Sequence, residues 1–152
     1  MQCGYCVPCG EWQWCNGGVL RDDEGRFLEA QATSYSHCMD ALMVEALACR
    51  DGMVMAERHG GTRLCLETDC LELVALWENR ANNRPVIAPI LMEIHERSLR
   101  FLDFALSYAN RLCNRVAHML AKQANGQEET VVWHESPSCI HSLLEADCNH
   151  AP

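Results

Sequence analysis

No run in this 152-residue chain approaches the roughly 18 consecutive apolar residues that a membrane-spanning helix requires. The N-terminus also lacks the basic stretch and apolar core of a secretory signal, so the chain is expected to stay inside the cell and off the membrane. Basic residues are scarce: 12 Lys and Arg stand against 21 Asp and Glu, a formal net charge of -9. That is the wrong sign for a protein gripping nucleic acid through a broad basic surface, and it confines any such contact to a local patch. Acid is in turn missing from one place: residues 1–16 contain no Asp, and Glu11 is the only acidic residue among them. The length suits one domain with a single sizeable core.

What is abundant is cysteine, 11 residues in all. The number is odd, no export signal accompanies it, and Cys38, Cys49, Cys65 and Cys113 fall at helix-like or strand-like positions, where cysteine acts as a small buried hydrophobe. A reduced intracellular protein is therefore expected. Cys3, Cys6, Cys9 and Cys15 could close a tetrahedral zinc site with four thiolates. Their spacing lacks the usual interval between two ligand pairs, and Cys6 would be shared, so local cysteine richness is the favoured reading. His134, His141, His150, Cys139 and Cys148 are too scattered to define a site.

The chain divides by composition into an atypical Cys-rich segment, 1–16, a regular body, 17–124, and a C-terminal extension, 125–152, docked or mobile rather than a domain. Gly17–Arg21 and Arg26–Ala32 flank Asp22-Asp-Glu-Gly25, the pattern of a β-hairpin. Apolar residues then recur at helical spacing from about Cys38 to Arg58, through Leu42, Ala46, Cys49, Met53 and Ala56. Arg63–Asp69 reads as a strand, Leu71–Trp77 as a brief helix, Asn79–Pro85 as a loop, Val86–Arg97 as a helix, Leu99–Ala109 as a strand and Asn114–Ala124 as a last helix. The hairpin is antiparallel, whereas strands joined by helical crossovers favour parallel pairing, so the expected fold is α/β with a mixed sheet.

Two acidic residues stand out. Glu45 lies within the apolar helix-like run Ala41-Leu-Met-Val-Glu-Ala-Leu-Ala48, and Asp69 closes the strand-like run Arg63-Leu-Cys-Leu-Glu-Thr-Asp69. Each would be costly to bury unpaired. Brought together they could hold a divalent metal, which points to phosphodiester chemistry on nucleic acid. The plainer alternatives are a solvated helix residue for Glu45 and an N-cap of the next helix for Asp69.

Gly18-Val-Leu-Arg-Asp-Asp-Glu-Gly25, Glu45-Ala-Leu-Ala48 with Arg50-Asp-Gly52, Leu66-Glu-Thr-Asp-Cys70 and Asn114-Arg-Val-Ala-His-Met-Leu-Ala-Lys122 occur in an order and spacing that resemble the ribonuclease H-like fold. The closer resemblance is to the plant branch of reverse-transcriptase-like ribonuclease H domains, over roughly Gly17–Ala124. The resemblance implies an endonuclease that cuts the RNA strand of an RNA–DNA hybrid with two magnesium ions held by four acidic groups. Its helix acid carries over to Glu45 and its fourth-strand acid to Asp69. At the last helix the matching residue is His118, a softer ligand than magnesium prefers. The first-strand acid has no clear counterpart, since Glu11 sits in an unrelated Gly-Glu-Trp-Gln-Trp context. The first strand is thus expected to be degenerate or missing, with Trp12-Gln-Trp14 as a short substitute. The family's loop histidine is matched by Tyr108, which cannot titrate as an imidazole does. The implied partner is an RNA–DNA hybrid. The alternative is a catalytically inactive relative, derived from a mobile element, that binds nucleic acid or protein.

Overall fold

A computed structural model of the chain describes residues 2–6, 14–80, 86–124 and 130–148. Its elements in order are β1 (Gln2–Cys6), β2 (Trp14–Arg21), β3 (Phe27–Tyr35), α1 (Ala41–Arg58), β4 (Arg63–Thr68), α2 (Leu71–Glu78), α3 (Ala88–Ser98), β5 (Asp103–Tyr108), α4 (Arg115–Ala121), β6 (Thr130–Trp133), a 3-10 turn (Ser138–Ile140) and α5 (His141–Cys148).

Local chemistry sets the boundaries. The β2–β3 turn closes because the Asp22 carboxylate accepts from the amides of Glu24 and Arg26 at 3.0 and 2.8 Å, and Gly25 takes a φ of 78° that L side chains rarely adopt. Helix α1 starts at Ala41 rather than near Cys38 because Asp40 caps it, its Oδ1 accepting from the Met43 amide at 2.9 Å. Strand β5 begins at Asp103, later than the expected Leu99. The preceding residues complete a tight turn, with Arg100 and Phe101 amides donating to Arg97 and Ser98 carbonyls. The last helix ends at Ala121 rather than Ala124, since Gln123 and Ala124 turn back onto Leu120 and Ala121.

The strands form one six-stranded mixed sheet in the order β5-β4-β1-β2-β3-β6. Its centre holds a correction to expectation. The first strand is degenerate but not missing, and Gln2–Cys6 supplies it; Trp12 and Gln13 of the expected substitute lie outside the described residues. This strand runs antiparallel to β2, from Gln2 opposite Val19 to Cys6 opposite Cys15, and parallel to β4 through Gln2–Glu67 and Cys3–Thr68. Its five residues, QCGYC, include no acid. Trp14 opens β2 instead. Beyond the body, β6 pairs with β3 from Ala30–Trp133 to Thr33–Thr130, and the threonine hydroxyls meet at 3.0 Å.

Alternation along β2 assigns the two faces of the sheet. Leu20 faces α1, α2 and α3, in a core with Met53, Leu66, Leu73, Ile94 and Leu106. Val19 faces the other way, toward Val116 and Leu120 of α4 and Ile140 of the 3-10 turn. Helix α4 lies against β2 so closely that a Cβ on Gly17 would stand 2.2 Å from the Ala117 carbonyl oxygen and 2.6 Å from the Ala121 nitrogen. At the far end of α1, the buried Glu29 of β3 is gripped by Arg58 and by His59 Nε2 at 2.8 Å, with His134 Nδ1 at 3.6 Å from just beyond β6. Burial pushes the Glu29 carboxyl up, but the Arg58 and His59 hydrogen bonds outweigh it and hold it below its ordinary value.

Two outcomes test this architecture. Gly17→Ala forces α4 off the sheet and should cost about 1–3 kcal/mol in urea unfolding, whereas Gly61→Ala, whose added Cβ would meet its nearest atom only at 3.4 Å, should change stability far less. For Glu29, a depressed carboxyl contributes stability above its unfolded pKa, near 4.5, and loses it as pH falls through the lower folded value. Wild type should therefore exceed Glu29→Gln by about 1 kcal/mol at neutral pH, the half-exposed Arg58 limiting the gain. The gap should close in strong acid, and a constant difference across that range would contradict the pairing.

Candidate functional site

Position 45 lies in the second turn of α1, on the face turned to the sheet, and its side chain is fully buried. This rules out the solvated reading of Glu45. Its Oε2 accepts from the Thr68 hydroxyl at 2.7 Å, and Thr68 is itself fully buried at the end of β4. The same hydroxyl oxygen accepts from the Cys70 amide at 3.2 Å, while the Thr68 carbonyl accepts from the Ala109 amide at 2.9 Å. One threonine thus ties α1, the β4–α2 junction and the loop after β5 together. Asp69 is the next residue, its side chain 16% exposed, with Arg111 Nε at 4.0 Å from Oδ2. The N-cap position of α2 belongs to Cys70 and has no side-chain cap bond, so Asp69 is not the cap that its place before a helix suggests.

The local field is negative. Burial raises the pKa of the Cys70 thiol, a backbone hydrogen bond at Leu73 opposes it, and the charges of Glu45, Glu72 and Asp69 raise it further.

His118 comes from the other layer. It lies half-buried in the last turn of α4, which packs on the face of the sheet opposite α1. The structure therefore ties Glu45 to Thr68, the residue before Asp69, and sets both charges near the Cys70 thiol. Among the described residues, no three or more His, Cys, Asp or Glu side chains gather closely enough to hold a metal, so His118 does not complete such a set. Glu11 and Cys9 lie outside the described residues, and Cys3 and Cys6 belong to β1. Cys15 is buried with Ala32, Ala121 and Ala124, its thiol donating to Ser34 Oγ at 3.9 Å, the setting of a small hydrophobe rather than of a zinc ligand. Tyr108 ends β5 opposite Thr68, half exposed. A groove of about 650 Å³ lined by Leu20, Arg21, His59, Arg63 and Leu64 opens at the start of β4, the end remote from Asp69.

Sequence reasoning missed two residues here. Thr68 was visible only as the neighbour of Asp69, and Arg111 falls in the short stretch between the expected strand ending at Ala109 and the helix starting at Asn114.

The comparisons with known proteins agree with this layout. The reverse transcriptase-like family matches residues 13–124. A search of curated protein sequences finds no match. Among solved structures, RNase H1 from the halophilic archaeon Halobacterium salinarum superposes with a TM-score of 0.69 at 17% identity, covering 80% of this chain and 94% of the other. LC11-RNase H1, solved in complex with an RNA/DNA hybrid, superposes with a TM-score of 0.68 at 12% identity, covering 81% and 96%. The N-terminal RNase H domain of a Mycobacterium tuberculosis protein gives 0.52 at 14% identity, covering 80% and 92%. The chain belongs to the reverse transcriptase-like family and has the ribonuclease H-like fold.

The donors present do not fit the two-magnesium centre that the resemblance implies. Magnesium takes near-octahedral oxygen ligands, and a pair of ions needs several carboxylates between them. Here β1 contributes no acid, α4 offers an imidazole nitrogen, and the Oε2 of Glu45 is engaged by Thr68.

The Thr68 hydroxyl should matter for folding. Thr68→Val keeps the shape but removes the donor to Glu45, and is expected to cost about 1–3 kcal/mol in urea unfolding, with Thr68→Ser restoring most of it. Equal stability of the Val and Ser variants would show that the bond contributes nothing.

Proposed function

We propose that this chain is a ribonuclease H-type nucleic-acid-binding domain whose substrate class is RNA–DNA hybrid, and in which cleavage of the RNA strand is impaired. The observation that supports this is the Glu45–Thr68–Asp69 arrangement where the end of β4 meets the start of the central β1, combined with a first strand that carries no acid. Glu45 and Asp69 are the residues assigned to the reaction and to any magnesium bound there, and His118 stands at the position where the family's last-helix acid is expected. Hybrid recognition in such a domain rests on backbone and 2′-hydroxyl contacts rather than on base reading, which accords with the lack of any base-reading motif. A domain that holds nucleic acid or a protein without any turnover is the limiting case of the same reading.

The test pairs binding with cleavage. Fluorescence anisotropy should show tighter binding of an RNA–DNA hybrid than of a DNA duplex of the same sequence and length. With magnesium, cutting of the RNA strand should run more than about a hundredfold slower than by an RNase H1 carrying all four acids, because losing a metal ligand costs more than the 10–100-fold typical of losing its supporting partner. Residual cutting should vanish in Glu45→Gln and Asp69→Asn. Cutting at the full-set rate would overturn the impairment, and equal binding of hybrid and DNA duplex would overturn the assignment of substrate class.

A further inference from the structure

We propose that Arg111 takes the charge-balancing place beside Asp69 that the family gives to a divalent ion, and holds a backbone phosphate of the bound nucleic acid there without metal. The inference rests on the hybrid-binding reading above and concerns how the same site meets its ligand.

Arg111 lies in the loop between β5 and α4, and that loop is built rather than loose. The Ala109 amide donates to the Thr68 carbonyl at 2.9 Å, which fixes the loop's first residue to the end of β4. The Asn110 side chain accepts from the Leu112 amide at 2.6 Å, the Cys113 amide donates to the Asn110 carbonyl at 2.8 Å, and the Asn114 amide donates to the Arg111 carbonyl at 3.3 Å. Arg111 is therefore held in a closed turn directly over the residue that follows Thr68. Its Nε stands 4.0 Å from Asp69 Oδ2, and its side chain is 73% exposed. A contact this long, from an arginine this exposed, contributes little to folding. It leaves the guanidinium's other N–H donors free to form the bidentate bonds that arginine makes with phosphate.

Charge argues the same way. A polyanion approaching this end of the sheet meets Asp69 and the exposed Glu72, with Glu45 buried behind them. Some cation must offset them, and among the described residues Arg111 is the one within ion-pair distance of Asp69. A divalent ion on the Asp69 carboxylate would stand within a few ångströms of the guanidinium and be repelled by it, so metal and Arg111 compete for one carboxylate. The remaining donors, one hydroxyl-bound carboxylate and an imidazole in the other layer, give the metal no compensating hold.

The chain offers a matched control. Arg63, at the opposite end of β4, is 79% exposed and 3.9 Å from Asp103, so Arg63→Ala removes the same charge from a similarly exposed arginine far from Asp69. The experiment measures hybrid affinity by anisotropy in excess EDTA and in excess magnesium, across a salt series, for wild type, Arg111→Ala, Arg111→Lys and Arg63→Ala. Folding of each variant is checked by circular dichroism. Wild-type affinity should differ by less than about twofold between EDTA and magnesium. Arg111→Ala should weaken binding about tenfold and lower the salt slope by about 0.7–0.9, one phosphate contact. Arg111→Lys should recover part of the loss, and Arg63→Ala should stay within about twofold of wild type. Binding that appears only with magnesium, or equal losses in Arg111→Ala and Arg63→Ala, overturns the proposal while leaving hybrid binding intact. Wild type that binds hybrid in neither condition defeats the hybrid-binding reading and this inference together.

Discussion

Two residue pairs, Gln2 with Glu67 and Cys3 with Thr68, join the antiparallel half of the sheet to its parallel half. Everything else in the structure depends on that joint. On one side stand β2, β3 and β6, on the other β4 and β5, and β1 between them is five residues long. Without it, backbone groups of β2 and β4 would face each other unpaired in the interior, at a cost comparable to lost hydrogen bonds. Helix α1 reinforces the joint from above, its buried core residues and the Glu45–Thr68 hydrogen bond bridging the same seam. The joint also sets the chemistry. The register ends at Cys3–Thr68, and the residues that follow in sequence are Gly4 on the central strand and Asp69 after the fourth, the first of which carries no side chain.

How much of this the sequence disclosed follows from where local signals are strong. The hairpin was legible because Asp22 and Gly25 are turn residues with local reasons to be there, and the end of α1 because His59-Gly60-Gly61 stops a periodic apolar stripe. The central strand was not, because QCGYC neither alternates nor carries strong β-formers, and its place comes from partners distant in sequence. The shorter β5 likewise reflects a turn whose bonds run back to the end of α3, which a β-rich composition at Leu99–Leu102 does not reveal. At the site, Glu45 and Asp69 were found from the oddity of acid in apolar runs. Thr68 and Arg111 were not, since a hydroxyl beside an acid and an arginine in a polar turn are ordinary until the fold brings them together.

On the reading proposed here, carboxylates serve folding as much as reaction. Glu45 is met by a buried hydroxyl and Glu29 by an arginine and two histidines, so both are bound by partners from the chain itself. Such partners tie distant elements together: α1 to β4 in the first case, α1 and the segment after β6 to β3 in the second. The overall negative charge then becomes tolerable for a nucleic-acid-binding domain, because attraction need only be supplied locally, where an exposed guanidinium overhangs the end of β4.

Strand β6 arises after the span matched by the family, yet it lies along β3 at the margin of the sheet. Without those four residues, the nine-residue β3 would be the outermost strand, presenting a long row of open amides and carbonyls to any passing chain. With them, the margin is a strand only four residues long, and short edges are how proteins discourage edge-to-edge aggregation. The C-terminal segment thus covers the middle of the β3 edge, from Ala30 to Thr33, with residues remote from the chemistry of the site.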